Sequence, residues 1–188
     1  MFELPEIYND LNAVLSKNGF SIPDNGVWYH GTSSALVDFI LENGLKRSGD
    51  VDINQAAKQT MATIGNSYTE QREPVFLTQS KALAYFWAEQ CVRRRKVRFG
   101  GDEQPAVITV QLDEELRGKV RPDVGAASLL MLKEGEQFMD FVLGLYAQAD
   151  AGEVDIDLMK ADRDEYLRKL GMAYLDYDVA KECLAMEN

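Results

Sequence analysis

The chain has 188 residues, enough to bury a sizeable core without disulfides or metals. With 46% hydrophobic and 27% charged residues, and no apolar run approaching the roughly 18 residues of a membrane helix, it reads as one soluble globular domain over 1–188. A net charge of -11 argues against a dedicated nucleic-acid binder, and two distant cysteines with a single histidine supply no Cys/His metal set.

The opening Met1–Glu6 has no basic region and no apolar run, so no signal peptide is expected, and free thiols in the cytoplasm are the default. Residues 6–18 carry Ile7, Leu11, Val14 and Leu15 at helical spacing, predicting an N-terminal helix within 1–20 that stops at Asn18-Gly19. After the turn signal Pro23-Asp24-Asn25-Gly26, Val27-Trp28-Tyr29-His30 predicts a short strand holding the only histidine. Ser33 or Ser34 can cap the following helix, with Leu36, Phe39 and Ile40 as its buried stripe and Asn43-Gly44 as its end. His30 therefore sits at a strand-to-helix junction, where a helix N-terminus favours polar or anionic ligand groups.

Residues 46–73 are polar, with only a possible short helix around 54–63, as in a binding loop or a mobile surface loop. Pro74 to Thr78 predicts a second strand, and Ser80 caps a helix running to about Arg94 with Leu83, Phe86 and Trp87 on one face. Tyr85 falls off that stripe, where it either lines a pocket or is half-buried in the core. The run Arg93-Arg94-Arg95-Lys96 with Arg98 reads as a solvated helix end. Gly100-Gly101 makes a turn before Ala106 to Asp113, the clearest strand and a central one. Residues 126–149 read as helical, with apolar groups at 129–132 and 138–145 interrupted by Gly135. Asp164 to Met172 forms a further block, and Asp176 or Asp178 starts a short terminal helix through Cys183.

Three blocks then resemble the ADP-ribosyltransferase family, in the His-Tyr-Glu branch shared by diphtheria toxin and the poly(ADP-ribose) polymerases. Tyr29-His30-Gly31-Thr32 with Val37 to Leu45 looks like the first block, and Phe76 to Tyr85 like the second. Pro105 to Asp113 matches the strand that usually follows, and Glu165-Tyr166-Leu167 is the candidate third block, with Glu136 of Glu134-Gly135-Glu136 as its rival. The strand of the second block lacks the tyrosine the family often has there and offers Phe76, or Val75 in a slipped register.

The resemblance implies an α+β fold, a split β-sheet core with flanking helices, a donor-site loop over 46–73 and a helical insertion over 124–150. It implies NAD as substrate, released nicotinamide and transfer of one ADP-ribose to a macromolecule, protein more readily than nucleic acid, with no metal. His30, Tyr85 and Glu165 would be catalytic, and His30, Gly31, Thr32, Ser33, Phe76 and Tyr85 would hold the dinucleotide. A cytoplasmic enzyme, or a toxin or phage effector delivered into a host cell, fits this pattern. On the same fold an NAD glycohydrolase, an NAD-dependent RNA 2′-phosphotransferase and a non-catalytic ADP-ribose binder are the alternatives.

Overall fold

The computed structural model describes residues 4–47, 50–63, 73–123, 133–157 and 159–187. The first twenty residues do not form the helix that their spacing predicts. A 3-10 turn, Glu6–Tyr8, and the four-residue helix α1 (Leu11–Val14) lead into a hairpin of β1 (Leu15–Ser16) and β2 (Gly19–Phe20). Two local features stop the helix. Asp10 spends its carboxylate on Ser80 Oγ and the Lys81 N–H, both at 2.7 Å, rather than on its own first turn. Gly19 takes φ +99, and a Cβ there would meet the Arg168 carbonyl oxygen at 2.3 Å. Leu11, Leu15 and Phe20 are buried all the same.

Strand β3 (Val27–Ser33) follows the Pro23–Gly26 turn, and Ser33 caps α2 (Ser34–Asn43) by accepting from the Ala35 N–H. Leu36 and Ile40 turn inward, but Phe39 is 48% exposed, because it lies about 60° outside their arc. Helix α3 (Val51–Thr63) starts earlier than its weak periodicity suggests, since Asp50 accepts from the N–H groups of Asp52 and Ile53, and none of its residues is buried. The remainder of the loop predicted over 46–73, at 48–49 and 64–72, lies outside the described residues. Strand β4 (Val75–Leu77) and α4 (Lys81–Phe99) come next, with Ser80 as the cap.

β5 (Pro105–Gln111), α5 (Glu114–Arg117) and β6 (Arg121–Pro122) lead to α6 (Lys133–Gln148), which runs straight through Gly135 rather than breaking there. The apolar group at 129–132 falls outside the described residues. Helix α7 (Arg163–Leu170) is capped by Asp162 and closed by Gly171 in the left-handed region. After β7 (Ala173–Leu175) the expected terminal helix is only a 3-10 turn, Lys181–Cys183. Leu184, Ala185 and Met186 form β8 (Leu184–Met186) instead, because pairing with Val110, Thr109 and Ile108 gives the alternating residues a sheet to join.

The result is an α+β fold. One antiparallel sheet has the order β3-β5-β8, a second has β4-β7-β6, and a single bridge between Tyr29 and Thr78 joins them. Trp28, Ile108 and Val110 of the first sheet pack with Val75, Leu77, Ala173 and Leu175 of the second. A separate apolar cluster joins α4 to α6 and the hairpin through Leu83, Phe86, Phe138, Val142, Leu145 and Tyr146. Fully burying one such side chain is worth about 1.5–3 kcal/mol, and four of α6 are at most 3% exposed, so α6 is part of the core. Among the described residues no helix is long and apolar enough to cross a membrane.

Candidate functional site

Backbone N–H and C=O groups along a strand point alternately to its two edges. In β3, Tyr29 both donates to and accepts from Thr78 at 2.9 Å, so the odd-numbered residues face β4. Continuing that ladder would pair Gly31 with Phe76. It does not continue, because His30 Nδ1 donates to the Phe76 carbonyl at 2.9 Å. The N–H and C=O of Gly31 then have no partner among the described residues. The two sheets thus meet at one bridge and open directly beyond it, with a donor and an acceptor of Gly31 facing the gap.

A carbonyl can only accept, so Nδ1 carries the proton of the neutral ring and Nε2 keeps a lone pair. Burial holds the imidazole below the usual histidine pKa of 6.5, with the Phe76 bond acting in the opposite direction. His30 is therefore neutral at pH 7, and Nε2 is an acceptor with no partner among the described residues. Phe76 itself is 46% exposed, because Val75 and Leu77 on either side of it take the buried face of β4. By the same alternation its ring lies on the face of Tyr29 and Gly31, and the imidazole on the face of Val75 and Leu77.

Gly31 owes its identity to α4. A Cβ there would lie 1.9 Å from the Ala84 carbonyl oxygen and 2.7 Å from the Ala88 nitrogen. Packing of the helix on the strand is thus enough to require glycine here. Thr32 and Ser33 are buried, and the Ser33 hydroxyl is already engaged. It accepts from Ala35 and donates to Glu103 Oε2 at 2.5 Å.

That carboxylate belongs to a hub absent from the sequence reading. Arg95 is 4% exposed and binds Glu103 through Nε at 2.7 Å, Asp50 through Nη1 at 2.5 Å and Asp52 through Nη2 at 3.2 Å. Burial disfavours its charge, but the hydrogen bonds of Glu103 and Asp50 outweigh that and raise its pKa further, while Arg95 holds Glu103 below the usual carboxylate range. The hub ties the start of α3 and the loop before β5 to the Ser33 cap. The available signal was the position of Arg95 one helical turn from Cys91 and Phe99, inside a run otherwise made of outward cations.

Tyr85 and Glu165 lie on the helices α4 and α7. Tyr85 stacks on Tyr8 with ring centroids 4.9 Å apart and shares a cluster with Tyr29 and Val107. Neighbours on a strand face opposite ways, so Tyr85 is on the α4 side of β3 with Tyr29, and His30 is on the other. Glu165 lies in the first turn of α7, half-buried, where its N–H donates to Asp162. It is on a helix, not on the strand that the resemblance implies. Glu136 is exposed on α6, and the Glu134 side chain is outside the described residues. A further acid, Glu187, closes β8: it accepts from Thr109 Oγ1 at 2.6 Å and pairs with Lys81. The sequence reading missed it by ending the chain in a helix, although Leu184 and Met186 alternate as in a strand.

Comparison with family models, with curated proteins and with solved structures gives no match.

Proposed function

We propose that this chain is a mono-ADP-ribosyltransferase that takes NAD as donor, releases nicotinamide and modifies a macromolecular acceptor. The opening of the β3–β4 ladder at Gly31 carries this reading. A primary carboxamide such as that of nicotinamide offers one acceptor and two donor hydrogens, the complement of the N–H and C=O that Gly31 leaves open. Nε2 of His30 can accept from a ribose hydroxyl, and the exposed Phe76 ring can stack on the pyridinium, worth about 0.5–1.5 kcal/mol beyond its buried area.

In the reaction the bond between ribose C1′ and the nicotinamide nitrogen breaks, and its electron pair leaves with the neutral ring. The acceptor attacks C1′ and gives up its proton. A carboxylate that stabilises the developing charge is needed, and Glu165 is the residue assigned to it. Its helix is near the gap: Leu167 packs with Trp28 and Leu77, chain neighbours of His30 and Phe76. A second reading, NAD binding without transfer, is favoured by one observation, that Glu165 stands on a helix and makes no hydrogen bond to His30 among the described residues.

Incubation with NAD labelled in its adenylate phosphate, with cell extract present, separates the two. Transfer predicts free nicotinamide and label on macromolecules. Nicotinamide release without labelled macromolecule makes the protein a glycohydrolase, and NAD binding with no release makes it a binder. Absence of both NAD binding and nicotinamide release refutes the NAD reading.

A further inference from the structure

The last two turns of α4 pack through Arg95 and present their other side to solvent. Arg93, Arg94, Lys96, Val97 and Arg98 are exposed, Val97 at 88%, and around Gly100 and Gly101 there is open space. Arg95 turns inward, and its guanidinium lies 5.0 Å from the ring centroid of the exposed Phe99. At about 100° per residue, the four outward cations occupy one arc with Val97 at its middle. Arg93 has Glu89 at 3.4 Å, whereas Arg94, Lys96 and Arg98 make no ion pair among the described residues.

A helix C-terminus stabilises cations within its last turn, which accounts for Lys96 and Arg98 but not for Arg93 and Arg94. Four of the chain's twenty Lys and Arg are exposed within these six residues of a protein with net charge -11.

We infer that this arc is a docking surface for double-stranded nucleic acid, bound through its phosphates. The charge spacing selects the partner. Four cations along about 9 Å of helix make one per roughly 2.3 Å. A duplex offers one phosphate per about 1.7 Å of axis, whereas an extended acidic peptide offers at most one carboxylate per about 3.4 Å, half of them facing away. A helix about 10–12 Å across also fits a B-form major groove about 12 Å wide. The acidic remainder of the surface repels phosphate and confines contact to this one face.

The patch faces away from Gly31, because Ala84, Ala88 and Arg95 share the side of α4 opposite Val97. Helix α4 runs beneath Gly31 at Ala84 and Ala88 and reaches the Ser33–Glu103 contact at Arg95. The inference concerns binding and does not rest on the NAD reading.

The test is fluorescence anisotropy of a short labelled DNA duplex, without NAD, between 50 and 200 mM salt. Four phosphate contacts predict an affinity loss of about 150-fold over that range. Arg94→Glu with Arg98→Glu should weaken binding at least about tenfold at 50 mM and flatten the salt slope by about two contacts, with unchanged thermal unfolding. Arg93→Gln with Arg94→Gln, which removes charge without reversing it, should give an intermediate loss. Nicotinamide release in the absence of duplex should be the same in these variants as in the wild type. No binding at 50 mM, binding undiminished in both double variants, or polyglutamate bound as tightly as the duplex would overturn the inference. Nicotinamide release that persists while duplex binding fails removes this inference alone, and duplex binding without any NAD interaction removes only the proposed function.

Discussion

Replacing Gly31 by alanine tests how β3 and α4 hold the candidate site. The new Cβ falls 1.9 Å from the Ala84 carbonyl oxygen and 2.7 Å from the Ala88 nitrogen, both backbone atoms. Carbon–oxygen contacts settle near about 3.3 Å, so strand and helix must part by roughly 1.4 Å. Helix α4 resists this, because Ala82, Leu83, Ala84 and Ala88 are fully buried and Ser80 and Asp10 fix its first turn. Forcing a methylene into a packed interior costs about 1–3 kcal/mol, and a clash with backbone belongs at the top of that range. In a domain of this size each kcal/mol shifts Tm by about 2–4 °C, so Gly31→Ala should melt roughly 6–12 °C below the wild type. Gly144→Ala is the control. Its Cβ meets nothing within 4 Å inside α6, and the same methyl there should stabilise by about 0.5–1 kcal/mol. Thermal and urea unfolding of both variants decide the matter. A Gly31→Ala protein that melts with the wild type, or one that shifts in the same direction as Gly144→Ala, would refute the packing of α4 on β3.

Arg95→Ala should cost about 3–5 kcal/mol in urea unfolding, since it strands the carboxylates of Asp50 and Glu103 near the Ser33 cap. Acid should destabilise the fold through Glu103, lowered by its bond to Arg95, and through Glu187, where bonds from Lys81 and Thr109 outweigh desolvation. A carboxylate with a depressed folded pKa adds stability that is present above its unfolded value of 4.5 and is lost as pH falls through the folded one, so urea midpoints should drop progressively below that pH. Asp10, raised by desolvation, works the opposite way and softens the drop, and Glu187→Gln should flatten it. The acid limb of NAD binding should lie below pH 6.5, because burial keeps His30 neutral there, and a limb at or above 6.5 contradicts the neutral ring. Glu165→Ala should lower nicotinamide release by about 100–1,000-fold, and an unchanged rate removes Glu165 from the chemistry.

The elements with both a cap and a stop were legible in the sequence. Ser33 and Gly44 bound α2, Ser80 opens α4, which runs to Phe99 rather than to about Arg94, and the β-branched run of 106–110 marked the central strand. What failed was decided by distant partners. The N-terminal helix gave way because the Asp10 carboxylate serves α4 and Gly19 fits against Arg168. The terminal helix gave way because β5 had an open edge for Leu184 to Met186. In the site, His30, Gly31 and Phe76 come together because β3 and β4 are bridged at Tyr29 and Thr78, one residue from the histidine. Strand alternation puts Tyr85, with Tyr29, on the face of β3 opposite His30, and that follows from which face of β3 receives α4. Arg95 was read with its outward neighbours, and only tertiary contacts single it out.

The most direct measurement follows the backbone amide of Gly31. In protein labelled with 15N at its 14 glycines, titration with NAD should shift the Gly31 cross-peak most, because its N–H faces the gap. Nicotinamide alone should reproduce part of that shift, and His30→Ala should weaken the NAD titration. A Gly31 peak unmoved at saturating NAD, or shifts confined to glycines such as Gly144 and Gly152, would contradict the donor site at the opening between β3 and β4.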